Sequence, residues 1–590
     1  MGRDKMHRPS TVWNLIAKKP YAALAAVFLV IIQAVSNVSE VIIMERFINN
    51  FSGLQWMKSA IFAIVVSAIY AFYYLQAPLL GYLEDKICLQ LRIHLERAVI
   101  EKTARISMEA LENADNQALL ARMHDKPEKR YTSGFFSVLH IFGGVLGTAG
   151  VFVLVIGKVP FFFPVILLLL VLMAVVFRLI GKSKAAMYQT RQESCRRSDY
   201  LSGLLFERNL SQEKKLFGYT PYIQKLYKEE TIKSGKKLTR SIFFSNMVLW
   251  VYDNITFLFS ASAYLVFLVP LYKGQIDIGL YISIIPALAR LGAFFVATGS
   301  SYWPVYQEYL SCLKDMGELY ALPEQYYVNT QENSAPPVFH VIKGENIVFR
   351  YPGQEKPVLD GLDFTFYAGK NYALAGENGC GKTTLLKLVM GFYKPDSGII
   401  TIDGINTQDM GFEEQQRYFS AVFQDFGRYY YTVKENIIIS SLGRKDWYTG
   451  MEMAAKEAGV DKRILSFPDD YNTQLGNLED SGTGLSGGQW QRLSIARMLY
   501  RRAGICIWDE PAASMDALAE SRLYKDFLHK RNDKCANIFV THRLGAAAVA
   551  DEICVMESGR FVEQGNHAQL MQKKDGLYSR MFQAQKGMYE

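Results

Sequence analysis

Cysteine is scarce in this chain of 590 residues, and what there is builds no framework. The seven cysteines (Cys88, Cys195, Cys312, Cys380, Cys506, Cys535 and Cys554) are odd in number and show no metal-ligand spacing. A disulfide-stapled scaffold is therefore not expected, in keeping with a chain bathed in reducing cytosol. Internal repeats are absent as well. The basic N-terminus (Arg3, Lys5, Arg8, Lys18, Lys19) leads into an apolar run too long for a signal peptide and without a cleavage site. Met6 occupies the position where a myristoylation motif beginning at Gly2 needs Ser or Thr.

Cations are missing from particular places, and that decides how the net charge of +8 is read. Lys and Arg crowd Lys86 to Arg130 and Arg178 to Arg240, each flanked by apolar runs. The short connections between the other ends of those runs carry only isolated cations such as Arg46, Lys158 and Lys273. This asymmetry is what cytoplasmic loops of a membrane protein show, and it argues against a nucleic-acid partner. The mean hydropathy of +0.03 averages two textures: long Leu/Ile/Val/Phe stretches before about Pro323, and short apolar runs among Gly-rich and charged segments after it.

Six spans can be drawn, at about 21–44, 60–82, 135–156, 161–178, 244–268 and 280–303. Each approaches the roughly 20 residues a helix needs to cross hydrocarbon. An even number places both termini on one side, and the charge bias makes that side cytoplasmic. The long inward loops, 83–134 and 179–243, read as amphipathic helix; Leu91 to Met123 spaces its apolar residues by three and four. Gly143 and Gly147 in the third span have the spacing that lets a neighbouring helix approach closely. Glu40, near the outer end of the first span, is expected at the interface. Asp253 and Arg290 each lie about ten residues into the fifth and sixth spans, roughly 15 Å deep at the helical rise. Buried ionisable groups in a span mark a substrate cavity or an ion pair, and both readings stand for this pair. The organisation expected is a transmembrane domain over 1–322, a polar, proline-bearing linker over 323–338, and a nucleotide-binding domain over 339–590.

The second half carries the chemistry. Asn371 to Ala375 reads as a buried strand running into Gly376-Glu377-Asn378-Gly379-Cys380-Gly381-Lys382-Thr383, with a helix from Lys382 onward. Glycines let backbone N–H groups turn toward phosphates, and the helix start adds positive potential. Lys382 then neutralises phosphate charge and the Thr383 hydroxyl coordinates Mg²⁺, with Thr384 beside it. A second apolar strand, Ile505 to Trp508, ends in Asp509-Glu510: one carboxylate placed for the metal, the next for polarising a water. Leu485-Ser486-Gly487-Gly488-Gln489 opens a further helix, so the chain has two phosphate-seeking helix starts but one lysine-bearing loop. A nucleotide site fused to membrane spans points to ATP being used to move something across a bilayer.

The pentapeptide Leu485 to Gln489, with the motifs around it, resembles the nucleotide-binding domain of ABC transporters, and the preceding half resembles the six-span domain of their exporter branch. The fold implied is an all-α six-helix transmembrane domain plus a cytosolic α/β P-loop ATPase domain. By that resemblance Tyr351 stacks on adenine, Gln424 senses Mg²⁺ and faces the membrane domain, Asp516 lies in the loop exchanged between paired domains, and His542 is the γ-phosphate switch. The resemblance also implies a head-to-tail dimer, each ATP held between Lys382 of one chain and Ser486-Gly487-Gly488 of the other, with Glu510 as base. Segments Ser107 to Asp115 and Gln212 to Ile223 resemble coupling helices. Asn477 stands where exporters tend to have a glutamate, with Glu479 nearby, and Trp490 and Trp508 are unusual but outside the catalytic roles.

What the resemblance implies is an ATP-driven exporter of an amphipathic or hydrophobic substrate (peptide, lipid or drug) in a bacterial cytoplasmic membrane, paired with an identical or a related chain. The stretch Phe423 to Ile437 is similar to that of bacterial exporters including peptide exporters. No peptidase segment precedes the spans, so leader cleavage in cis is not expected. An importer of the same architecture and an ATP-gated channel or regulatory subunit are the alternatives. A soluble chromosome-maintenance type of ATPase shares the pentapeptide but leaves six spans unexplained.

Overall fold

A computed structural model describes residues 20–160, 197–207, 210–325, 337–476, 482–511, 535–541, 543–573 and 575–586, and singly 164, 179 and 187. The chain divides into two compact units: Met1–Ala104 with Gln117–Leu322, and Arg105–Asn116 with Pro323–Glu590. Helices whose ends are described include α1 (Pro20–Ser52), α2 (Trp56–Arg105), α3 (Met108–Glu112), α4 (Ala114–His124), α5 (Pro127–Lys158), α6 (Ser211–Phe217), α7 (Thr220–Tyr272), α8 (Ile278–Ala297) and α9 (Trp303–Ala321).

Among the described residues α1, α2 and α5 are long and apolar enough to cross a bilayer, and they contain the first three expected spans. The fifth expected span lies within α7. The sixth begins in α8, passes through a π-helical turn at Thr298–Tyr302 and ends at the start of α9. The fourth lies outside the described residues, apart from residue 164.

Small residues set how α5 meets α1. A Cβ added at Gly143 would stand 2.2 Å from Val30 Cγ1, and one at Gly147 would stand 3.4 Å from the Ala34 Cα. The glycine spacing therefore does bring a neighbouring helix into backbone range, and that helix is α1.

Glu40, expected near the membrane interface, is held by neighbours on α2. It is buried, accepting hydrogen bonds from the hydroxyls of Tyr70 (2.8 Å) and Tyr73 (3.2 Å) on α2. Tyr73 also donates to Asn37, and Gln76 donates to Gln33, so a polar ladder joins α1 to α2. A carboxylate inside an apolar span is tolerable only with such partners.

The helix expected over Leu91 to Met123 is interrupted. At Ile106 and Ser107 the backbone leaves the helix to pair with the chain far downstream: Ser107 N donates to Pro323 O at 3.0 Å and Gln325 N to Arg105 O at 2.8 Å. Ser107 then caps α3, its hydroxyl accepting from Ala110 N. This short segment belongs to the second unit.

Among the described residues the second unit holds two sheets. The smaller is antiparallel, in the order β2-β1-β4-β5, from β1 (Val341–Phe349), β2 (Leu359–Tyr367), β4 (Ser397–Ile402) and β5 (Ile405–Asn406). The larger runs β10-β9-β3-β8-β7-β6, from β3 (Asn371–Gly376), β6 (Phe419–Val422), β7 (Ile505–Asp509), β8 (Ala536–Val540), β9 (Glu552–Glu557) and β10 (Arg560–Gly565). All its pairings are parallel except β9 with β10. β3 is buried throughout, with core residues on both faces, as a central parallel strand must be. Two further helices matter for the site: α10 (Lys382–Val389), directly after the β3 loop, and α11 (Gly487–Arg501).

Candidate nucleotide site

The loop between β3 and α10 is built on left-handed backbone. Gly376, Gly379 and Gly381 have φ of 146°, 78° and 111°. At Gly376 glycine is also required for space, because a Cβ there would meet the Met556 carbonyl oxygen at 2.3 Å. The turn wraps the Lys382 side chain, which is buried, and its ammonium donates to the carbonyls of Gly376 (2.9 Å) and Glu377 (2.8 Å). Cys380 Sγ lies 3.7 Å from that ammonium. The loop thus centres one positive charge among inward-turned backbone.

Next to it stands a pair of oxygen groups. The Thr383 hydroxyl donates to Asp509 Oδ1 at 3.2 Å. Burial pushes the Asp509 carboxyl above the ordinary aspartate value and Glu510 adds to this; the Thr383 hydrogen bond opposes it. A buried carboxylate disfavoured as an anion and touching a hydroxyl is a fitting donor set for a hard divalent cation.

Glu510, one residue past β7, has φ of 50°, rare for a residue with a side chain, while its N–H is held by Val540 O at 3.2 Å. Backbone strain of this kind is retained where the surroundings dictate a direction. Glu510 lines a cavity of about 300 Å³ together with Lys382, Thr383, Thr384, Asn378 and Tyr351, and Gly379 and Gly381 form part of its floor.

Tyr351 is placed by its neighbours. Its hydroxyl is 3.1 Å from Thr384 Oγ1, and its ring stands edge-on to Phe349 and Tyr393 with the Lys387 ammonium 5.6 Å from its centroid. Lys387 also pairs with Glu112 of α3 at 3.4 Å, within the same unit. Burial, then the Glu112 carboxylate, pushes the Tyr393 hydroxyl far up. Gln354 and Val358 line the cavity too. The sequence reading passed over them, although a polar residue shortly after Tyr351 in the β1–β2 connection was the available signal.

Several expected site residues stand apart from this cavity. Gln424 is exposed two residues beyond β6, whose Val422 pairs with Trp508, so register carries it level with Glu510 without lining the cavity. Ser486 caps α11 in a reciprocal box: Gln489 N donates to Ser486 Oγ (3.3 Å) and Ser486 N to Gln489 Oε1 (2.9 Å). Ser486 and Gly487 are exposed, Gly488 partly so, and none of the three lines the cavity. Asp516, His542, Asn477 and Glu479 lie outside the described residues, as does the side chain of Arg290 on α8. Asp253 is exposed on α7.

Comparison with known proteins agrees with this geometry. The profile described as ABC transporter matches residues 359–513, and that of the ABC transporter transmembrane region matches 23–290. This chain belongs to the ABC transporter family. The subtilin transport ATP-binding protein SpaT of Bacillus subtilis is 27% identical over 91% of this chain and 85% of its own length. The nisin transport ATP-binding protein NisT of Lactococcus lactis subsp. lactis is 26% identical over 93% and 92%. A bacterial Atm1-family ABC exporter solved with ATP bound superposes with a TM-score of 0.77 at 21% identity, over 96% of this chain and 98% of that one, and so shares the fold. The protein is an exporter-type half-transporter: a multi-pass membrane domain fused to an ATP-binding domain, in which ATP hydrolysis drives export.

Proposed function

We propose that two such chains pair head to tail and export an amphipathic or hydrophobic cargo, with a peptide favoured, from the cytoplasm of a bacterium. Residues 1–322 form the transmembrane domain, 323–338 the linker and 339–590 the ATPase domain, with both termini cytoplasmic. The observation that carries the reading is a separation within the ATPase unit. Lys382, Thr383 and Glu510 line one cavity, with Asp509 behind Thr383 through a hydrogen bond, whereas the exposed cap of α11 at Ser486 lines none of it. A second chain supplies what is missing.

Each residue then has a task. The loop N–H groups and Lys382 hold the β- and γ-phosphates, and Tyr351 takes the adenine face. Thr383, Asp509 and Gln424 would hold Mg²⁺, which neutralises phosphate charge when bound. Glu510 accepts a proton from the attacking water, and His542 fixes the γ-phosphate. Ser486, Gly487, Gly488 and Gln489 of the opposite chain close the site, with Asp516 at the seam. α3, held to the ATPase unit through Glu112 and Lys387, carries closure toward the spans. In the spans, Asp253 and Arg290 face the cargo or pair with each other.

Peptide cargo is supported by the stretch from Phe423 to Ile437 and by the full-length relatives named for subtilin and nisin transport. Inside-out vesicles containing the purified protein test the reading: ATP should drive uptake of a labelled amphipathic peptide, and Glu510→Gln should abolish it. ATP-independent entry, equal in the variant, would contradict it.

A further inference from the structure

Away from the nucleotide cavity, two thiols of the ATPase unit face each other. Cys535 Sγ lies 3.4 Å from Cys506 Sγ, both side chains are half-buried, and both cysteines are free. Register explains the approach. β7 and β8 run parallel with Cys506 opposite Asn537. Cys535 precedes Asn537 by two residues, so strand alternation puts it on the same face as Cys506. Ala536 N donates to Gly504 O at 2.9 Å and fixes the backbone between them.

The surroundings favour sulfur chemistry over metal binding. Among the described residues no group of three or more His, Cys, Asp or Glu side chains could hold an ion. The hydrogen bond between the thiols lets Cys535 ionise more readily than an ordinary thiol and pushes Cys506 well up, because the Cys506 S–H stabilises a Cys535 thiolate. One sulfur is therefore the nucleophile and the other its resolving partner.

We propose that Cys506 and Cys535 form an oxidation site, which a peroxide converts reversibly into a disulfide tying β7 to the chain entering β8. In the first step the Cys535 thiolate attacks one peroxide oxygen; an S–O bond forms, the O–O bond breaks, and the departing hydroxide takes a proton to become water. The Cys506 sulfur then attacks Cys535 Sγ; an S–S bond forms, the S–O bond breaks, and a second water leaves with the Cys506 proton. The two thiols lose two electrons in all, and the peroxide is reduced to water. The sulfurs must close from contact to a bond of about 2.05 Å. The closed loop spans residues 507–534, which carry Asp509, Glu510 and Asp516, so the modification straps the segment bearing the hydrolytic carboxylates. The proposal is independent of the cargo.

The test uses the full-length detergent-purified protein, reduced with dithiothreitol, treated with hydrogen peroxide, alkylated with iodoacetamide, digested and weighed. The expected result is a linked peptide pair joining Cys506 to Cys535, lighter by two hydrogens and lost on renewed reduction. With Cys506→Ser, oxidation should stop at a sulfenic acid on Cys535 that dimedone traps; Cys506→Ala serves if the serine variant misfolds. Both cysteines remaining fully alkylated after peroxide, or oxidation falling on Cys380 while this pair stays reduced, would overturn the proposal.

Discussion

Asp509 shows how a single residue can be costly to the fold and yet be required by the proposed mechanism. Its carboxyl is raised by burial, so between the ordinary value of 3.8 and its higher native one the folded chain binds more protons than the unfolded chain. Stability of the nucleotide-free protein should therefore fall as pH rises through that window. Asp509→Asn should flatten the slope and raise the thermal midpoint at neutral pH while removing Mg²⁺-dependent hydrolysis; a lower midpoint in Mg²⁺-free buffer would contradict this. Glu510 differs in that its strained backbone aims it at the cavity. Glu510→Gln should retain ATP binding and lose about 10²- to 10⁴-fold in turnover, the usual range for removing a general base. An ATPase assay beside a nucleotide-binding titration separates the two effects.

At the scale of elements, the glycine face of α5 and the docking of α3 make separate predictions. Gly143→Leu drives side-chain atoms into Val30, and overpacking of that kind costs about 1–3 kcal/mol. The thermal midpoint in detergent should drop, and an unchanged value would show that α1 and α5 are not pressed together. Glu112→Lys places like charge against Lys387. It should leave nucleotide binding intact and reduce cargo moved per ATP hydrolysed several-fold, measured in vesicles. How legible each element was in the sequence follows from how local its cause is. The β3 loop could be read because its backbone excludes any residue but glycine at Gly376, a requirement written within a few positions. The break at Ile106 and Ser107 could not, because the groups that satisfy it, Pro323 O and Gln325 N, are remote in sequence. The partners of Glu40 were hidden for the same reason: its place in the span is local information, but Tyr70 and Tyr73 stand on another helix.

For the whole molecule, the fused halves were legible because hydropathy and phosphate-binding motifs occupy different stretches of chain. The domain-profile matches fall on those same two stretches, 23–290 and 359–513. Gln354 was legible only as a polar residue shortly after Tyr351, since its place at the cavity depends on how the β1–β2 connection lies beside that ring. The proposed partner chain leaves a trace in the sequence only as a surplus: a second phosphate-seeking helix start with no lysine loop of its own. Its position away from the Lys382 cavity turns that surplus into a claim about assembly.

Mixed dimers bearing Lys382→Ala and Ser486→Arg test that claim directly. With the two changes on opposite chains, they fall in one composite site and leave the other whole, so ATP hydrolysis should persist. With both changes on one chain beside a wild-type partner, each composite site loses one member, and hydrolysis should vanish. The reverse pattern, activity when one chain is untouched and none when the changes are split, would mean that each chain completes its own site, and would contradict the account.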